Sequence, residues 1–401
     1  MDRCDAATPA KPTHAKARCA PPRILTFLPH GRGYSREILR GIALHCQIAG
    51  SWQIVPEDRL PGQYGGVRRG DFDGMIGILS EETRHRWLRT LRCPFVNVSS
   101  VGDRLPPSSV VTDNAAIGRM AAEFLLRRGF QNFGFCGLPY HRASVERQRG
   151  FATCVAEAGF RTEFVEAVSV AESAPDWSSY IGRLSAWLLG LPKPTGILAF
   201  NDLRGRDLLD ACQTAGLRVP DDIAVVGVDN DVFLCETAVP MLASVDANLR
   251  RLGQSAAELL ESLIGGGRAP AAPIEIPPTG VVARLSADIH AVADPRVADA
   301  IRFIREHADR PIRSGDVVRG VPVARRSLER RFRKALGRSL EEEIRSAHIE
   351  RARRLLSDTT LSVEEVGERS GFLYTAHFSA AFKRATGLPP AAWRRAHARG
   401  G

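Results

Sequence analysis

Arg326, Glu329, Arg330 and Arg333 are spaced to share one face of a helix, and their side chains suit the reading of base edges. A guanidinium donates two parallel hydrogen bonds to the O6 and N7 of guanine, and a glutamate accepts from the N4 amino group of cytosine. Each such pair discriminates by about 1–3 kcal/mol. Leu328 and Phe332, one turn apart, form the apolar stripe that seats this helix on a core. The helix is expected over Ala324–Lys334, with Arg325 adding a further charge at its start. Upstream, Ser314 is placed to cap a short helix over Asp316–Arg319, and Gly320-Val321-Pro322 turns the chain between the two. Two short helices about a tight turn make a helix-turn-helix, whose second helix lies in the major groove.

A second unit of this kind follows in Leu361–Trp393. Ser362 and Glu365 have the spacing of a capping box, Ser370-Gly371-Phe372 turns, Phe378 and Phe382 share a face, and Gly387-Leu388-Pro389-Pro390 stops the helix. A long helix over Ser339–Leu356 is expected to join the units. Glu341, Glu342 and Glu343 stand in its first turn and Arg353 and Arg354 in its last, matching the helix dipole. The electrostatics agree with a polyanionic partner. From Pro295 to Gly401 there are 23 Lys and Arg against 13 Asp and Glu, so the whole net charge of +10 lies in the final quarter. Phosphate neutralisation needs that excess.

The neutral remainder must hold something else. Apolar runs at Ile24–Leu28, Trp52–Val55, Gly74–Leu79, Phe95–Val98, Phe133–Cys136, Phe164–Val168, Gly196–Phe200 and Ile223–Val228 have the length of buried strands. Helical patterns alternate with them at Ser35–Ala49, Asn114–Arg128, Arg147–Ala158, Trp177–Leu189, Asp202–Ala215 and Asn248–Leu263. Gly129, Gly159 and Gly216 fall where three of those helices should end. Two short extended runs, Ile274–Ile276 and Gly280–Val282, close the region. The alternation predicts doubly wound parallel sheets with a ligand crevice at the strands' C-terminal ends. Tyr34 and Trp177 are candidate stacking platforms there. The expected division is a disordered tail over 1–22, a ligand-binding domain over 23–288, a linker over 289–296 and an all-α DNA-binding domain over 297–397.

The string from Ser370-Gly371-Phe372 through Phe378, Phe382-Lys383-Arg384, Thr386-Gly387 and Pro389-Pro390 to Trp393-Arg394 closely resembles the C-terminal signature of AraC-type transcription regulators. By that resemblance Thr375, Ala376, Ser379 and Ala380 face bases and Lys383 contacts a phosphate. The first unit departs from the pattern at Pro322, where the family usually has Gly, and at Ala324, where it usually has Ser. His348 stands where the family often has Arg. Seven strings in the neutral half, among them Asp73-Gly74-Met75-Ile76, Thr112-Asp113-Asn114, Arg147-Gln148-Arg149-Gly150-Phe151 and Val226-Gly227-Val228-Asp229-Asn230, resemble the two-lobed core of LacI-type repressors and periplasmic binding proteins. That resemblance implies a pocket with Arg147 as bidentate donor and Asp202 and Asp229 as acceptors. A guanidinium and carboxylates suit the vicinal hydroxyls of a sugar. Asp202, Asp113 and Asn114 also stand where helix caps would. A LacI-like sensor ahead of an AraC-type reader resembles the arrangement of the bacterial xylose-operon regulators. It implies a pentose effector such as D-xylose, a double-stranded DNA operator, a homodimer, RNA polymerase as a further partner, and activation of sugar catabolism genes.

Other classes fit less well. No GxxxxGK[ST] or GxGxxG loop follows the first strand, no HxxxH pair or GxSxG elbow occurs, and the eight cysteines are scattered without a C-x-x-C pair. An enzyme, a metal centre and a cofactor are therefore not expected. A transport receptor would begin with a signal peptide, whereas Met1–Pro22 has no apolar segment, so the expected compartment is the cytoplasm. A repressor answering to a non-sugar ligand such as a purine keeps this fold and changes the pocket.

Overall fold

The computed structural model describes residues 21–50, 52–57, 71–78, 93–101, 105–167, 176–288, 294–359 and 361–397. Most of the expected tail, residues 289–293 of the expected linker, and the strand ends at Leu79 and Val168 lie outside them.

The chain opens with β1 (Arg23–Phe27), α1 (Gly33–Ala49), β2 (Gln53–Pro56), β3 (Gly74–Gly77), β4 (Phe95–Asn97) and β5 (Val110–Thr112). It then crosses to a second lobe built from α2 (Asn114–Leu126), β6 (Asn132–Gly137), α3 (Arg142–Glu157), β7 (Thr162–Glu166), α4 (Trp177–Gly190), β8 (Thr195–Ala199), α5 (Asp202–Thr214), β9 (Ile223–Val228), α6 (Val232–Glu236) and β10 (Ala243–Asp246). α7 (Leu249–Ile264) and β11 (Ile274–Ile276) return to the first lobe, and β12 (Gly280–Val282) rejoins the second. The first sheet is parallel in the order β2-β1-β3-β4, beside a parallel β5–β11 pair. The second runs β12-β10-β9-β8-β6-β7, parallel except for the β10–β12 edge. β8 and β9 are buried along their whole length, as central strands covered on both faces must be.

The two-lobed doubly wound core is thus as expected. Two strands were missed. β5 and β10 are three and four residues long, and each passes straight into a lobe crossing, so neither shows a full apolar run. α3 begins at Arg142, five residues earlier than its apolar periodicity suggests. Gly129, Gly159 and Gly216 all take the expected positive φ.

The last part of the chain is all helical: α8 (Pro295–Glu306), α9 (Ser314–Gly320), α10 (Arg325–Leu336), α11 (Leu340–Asp358), α12 (Val363–Glu368), α13 (Thr375–Thr386) and α14 (Pro390–His397). α8 begins inside the segment expected as linker, with Asp294 as its N-cap. There are two cores here. Val297, Ile301 and Ile304 of α8 meet Leu328 and Phe332 of α10, while Ile349, Leu356 and Val366 meet Phe378 and Phe382 of α13. α11 feeds both, giving Leu340 and Ile344 to the first and Ile349, Ala352 and Leu356 to the second. Its N-terminus carries a complete capping box: Glu342 N–H donates to Ser339 Oγ (3.3 Å), and Ser339 N–H donates to Glu342 Oε2 (2.7 Å). The helix runs on to Asp358, so Arg353 and Arg354 fall short of its last turn and the expected basic C-terminus is absent.

Candidate ligand cleft and nucleic-acid interface

Arg147 is held by close helix packing. A Cβ at Gly118 of α2 would lie 2.0 Å from the Arg147 carbonyl oxygen, and one at Gly150 would lie 2.1 Å from Ala115 O, so only glycines let α2 and α3 approach this closely. Arg147 is 3% exposed. It donates from Nε to Asn114 Oδ1 (3.0 Å) and from Nη1 to Phe200 O (2.5 Å), and Nη2 lies 3.8 Å from Asp229 Oδ1. Asp229 follows β9 with φ 104° and Asn230 with φ 52°. Side chains rarely hold such backbone angles unless the surroundings impose them, and they cluster at binding sites. Here Asn230 N–H donates to Ser244 Oγ (3.0 Å) and Arg284 Nη2 donates to Asn230 Oδ1 (2.8 Å). Asp229 Oδ1 is buried and accepts no hydrogen bond. Burial pushes this carboxyl up to about 6 against the opposing pull of Arg147.

Asp202 does different work. It is 1% exposed, and its two oxygens accept from Ser244 Oγ (2.6 Å) and Asp231 N–H (2.7 Å). Burial, and then the Asp229 charge, push it up to about 8. It fastens the 229–231 turn from behind. The capping role open to it belongs to Asn201, whose side chain accepts from Arg204 N–H (3.0 Å).

Tyr34 comes from the other lobe and donates to Val98 O (2.6 Å). Burial and the nearby Asp229 charge raise its phenol above the usual range, while Arg147 opposes them. The lobes also touch directly: Arg36 Nη2 is 3.6 Å from Asp231 Oδ1, and Gly33 leaves no room for a Cβ beside that carboxylate. Trp177 is not part of this group. It is 55% exposed and packs edge-on against Tyr180 at 5.8 Å.

Asn114 is the residue that the sequence did not reveal. Asp113 caps α2, accepting from Ala116 N–H (2.8 Å), but Asn114 is not a cap. Its Oδ1 accepts from Arg147 and from Thr112 Oγ1 (3.1 Å), and its amide donates to Ser100 Oγ (3.2 Å) and Glu146 Oε2 (3.1 Å). The Arg147 partnership spans 33 residues, beyond the reach of local spacing. His141 and Phe200 complete the wall, 4.9 Å apart, with Arg147 Cζ 5.1 Å from the Phe200 ring. Burial, then Arg147, press the His141 imidazole down to about 4.

In the helical part, α10 turns Leu328 and Phe332 wholly inward and leaves Arg325, Arg326, Glu329, Arg330 and Arg333 exposed. Arg326, Glu329, Arg330 and Arg333 line one shallow groove together with Lys334 and Ser339. Glu329 accepts from Arg325 Nε (3.0 Å), and Arg325 Nη2 reaches Ser314 Oγ (3.4 Å). Ser314 is therefore the first helical residue and not the expected cap, and the orphan amide of Arg313 donates to Asp316 Oδ2 (2.8 Å). The Pro322 departure is absorbed because Val321 turns in extended backbone (φ −123°), with no positive φ needed at the proline. Ala324 is the N-cap of α10 and makes no side-chain cap bond.

On α13, Thr375, Ala376 and Lys383 are exposed and Ser379 is half-buried, while Phe378 and Phe382 are wholly buried. Its turn needs Gly371: φ is 77°, and a Cβ there would lie 2.6 Å from His348 Nε2. His348 packs on Phe372, with ring centroids 5.7 Å apart.

Comparisons with known proteins match both halves. A family described as periplasmic binding protein-like domain matches residues 122–287, and one described as helix-turn-helix domain matches residues 318–396. The xylose operon regulatory protein of Escherichia coli (strain K12) is 31% identical over 381 residues, 93% of this chain and 96% of that protein. The Haemophilus influenzae protein of the same name is 30% identical, over 90% of this chain and 95% of its own length. The solved structure of the xylose-binding transcription activator xylR has a TM-score of 0.74 at 29% identity, covering 95% of this chain and 100% of that one. A transcriptional regulator CelR–cellobiose complex, 22% identical with a TM-score of 0.51 over 66% of this chain and 84% of that one, shares the fold of the sensor alone. At that identity and coverage this chain belongs to the xylose operon regulatory proteins, DNA-binding transcription regulators with a periplasmic-binding-like sensor ahead of an AraC-type reader.

Proposed function

We propose that this regulator is an activator whose effector is a pentose, D-xylose, bound between the lobes by Arg147 and Asp229 with Tyr34 as the platform from the first lobe. The observation that carries the reading is Asp229 Oδ1, a buried acceptor without a hydrogen bond facing a buried guanidinium. An unsatisfied buried acceptor costs about 1–3 kcal/mol, which a ligand hydroxyl would recover. Asp202 belongs to the same site as a support, since both its oxygens are already engaged. The names of the E. coli and H. influenzae relatives and of the solved neighbour, a xylose-binding activator, support xylose and activation.

We infer the same division of labour for the reader. Arg326, Arg330 and Arg333 read bases from α10, with Glu329 positioned by Arg325; Thr375, Ala376 and Ser379 read from α13, and Lys383 holds a phosphate. The sensor spans residues 23–288 and the reader 297–397, with the helix that introduces the reader starting at Pro295. The protein works in the cytoplasm as a homodimer that engages RNA polymerase at the operator. Among the described residues no helix is long and apolar enough to cross a membrane. Calorimetric titration of the full chain with D-xylose, L-arabinose, D-ribose, D-glucose and a purine base tests the effector. D-xylose should bind and the purine should not. Heat from the purine alone would replace the sugar reading.

A further inference from the structure

α8 stands between sensor and reader and is fastened to both. One face belongs to the reader, where Val297, Ala300, Ile301 and Ile304 are buried against Leu328 and Phe332 of α10. The other meets the second lobe of the sensor. Arg302 Nη1 lies 3.6 Å from Asp221 Oδ2, and Arg302 also pairs with Asp299 on its own helix. On the sensor side Arg218 holds Asp222 (2.7 Å) and lies 4.0 Å from Asp221. Asp221 is thus shared between a sensor arginine and a reader arginine. At the start of α8, Asp294 uses Oδ1 to cap the helix through Arg296 N–H (3.0 Å) and Oδ2 to accept from Arg331 Nη1 of α10 (2.7 Å). Beside the Asp294–Arg331 pair runs a groove with Gln131, Asn132 and Lys193 on the sensor side and Arg330, Arg331 and Lys334 on the other.

We propose that α8 is the arm through which the second lobe positions the first recognition helix, latched to the sensor by Arg302–Asp221 and to α10 by Asp294–Arg331. Both latches lie outside residues 289–293, so the coupling runs through packed side chains and ion pairs and not through chain connection alone. The geometry suits a contact that must open. Arg302 is 33% and Asp221 17% exposed, so the pair is screened and weak, and a modest change in lobe position can break it. Arg330 and Lys334 line both this groove and the base-reading groove, so movement of the lobe alters what a duplex meets on α10.

The proposal rests on the sugar-responsive reading for one arm of its test only. Native-state hydrogen exchange on the full chain reads docking without any ligand: Arg302→Asp should speed exchange of the amides at 218–223 several-fold and leave β8 unchanged. Operator affinity by fluorescence anisotropy, with and without D-xylose, reads the coupling. Arg302→Asp and Asp221→Arg should each shrink the sugar-dependent ratio of affinities at least threefold, with xylose affinity itself within twofold of wild type. The double reversal should bring the ratio back to within twofold. Unchanged exchange at 218–223 would overturn the docking, and singles that keep the full ratio, or a double no better than they are, would overturn the coupling. A wild-type chain whose operator affinity ignores xylose would instead remove the sugar arm, leaving exchange to decide the latch.

Discussion

Asp229→Asn should make the sugar-free protein more stable at neutral pH while disabling its pocket. Burial raises the folded-state carboxyl from its ordinary value of 3.8 to about 6, already allowing for the attraction of Arg147. An acid with a raised folded pKa binds more protons when folded. Its contribution to stability is whole below the unfolded pKa and is lost as pH rises through about 6. At pH 8 the ionised side chain therefore costs the folded state about 3 kcal/mol, at pH 5 roughly half of that and at pH 4 little, at about 1.36 kcal/mol per unit. Asparagine has nearly the shape of the protonated acid and carries no charge, so the variant should gain these amounts. Relief of Asp202, whose carboxyl the Asp229 charge also pushes up, adds to the gain at high pH. Urea unfolding of the sensor, followed by near-UV circular dichroism at pH 5 and pH 8, reads the difference. The gain should be roughly 1–2 kcal/mol larger at pH 8. Equal gains at both pH values, or a loss at pH 8, would refute the picture of a charged, under-satisfied carboxylate in the cleft.

Gly118→Ala drives a Cβ into the Arg147 carbonyl, so it should cost about 1–3 kcal/mol of stability and weaken xylose binding; calorimetry showing wild-type sugar affinity would mean that the α2–α3 approach does not set Arg147. Arg326→Ala and Arg330→Ala should each weaken binding to the cognate operator by about 1–3 kcal/mol and to random duplex far less. Equal losses on both duplexes, measured by anisotropy at one salt concentration, would reassign these arginines to phosphates. Two recognition helices joined by the 19-residue α11 should enter successive major grooves, about 34 Å apart. A hydroxyl-radical footprint should therefore show two protected segments per protomer about 10 base pairs apart. One segment, together with an unaffected Lys383→Ala variant, would show that the second unit does not engage DNA.

Much of this was legible locally. The parallel strands announce themselves because a strand covered on both faces must be apolar throughout, and the reader helices because Leu328 with Phe332 and Phe378 with Phe382 repeat at helical spacing. Of the short elements at lobe crossings, β11 and β12 were legible but β5 and β10 were not: β10 spends four residues in the sheet before the chain leaves. Nor were partnerships set by tertiary approach. Asn114 stands where a cap would stand, and only the folding of α3 over α2 turns it toward Arg147. Asp202 was expected as a pocket acceptor, whereas its hydrogen bonds to Ser244 and Asp231 depend on the neighbouring strand and turn. Ser314 lost its expected cap role because Asp316 supplies the bond from inside the helix. α8 escaped notice because its sequence opens with proline at the end of a segment that looks like linker, although proline is well suited to the first turn of a helix.

A sugar-responsive regulator must couple its sugar cleft to its DNA reader, and linkage makes that coupling measurable in a single experiment. Xylose affinity should be titrated calorimetrically for the full chain, alone and saturated with operator duplex. If sugar and operator favour the same arrangement, the two affinities will differ by the factor by which xylose changes operator affinity, corresponding to about 1–3 kcal/mol. Asp229→Ala should abolish the heat of sugar binding in both states and leave operator binding in the absence of sugar intact. Identical xylose affinities with and without operator would contradict the coupling, and normal xylose binding by Asp229→Ala would contradict the site.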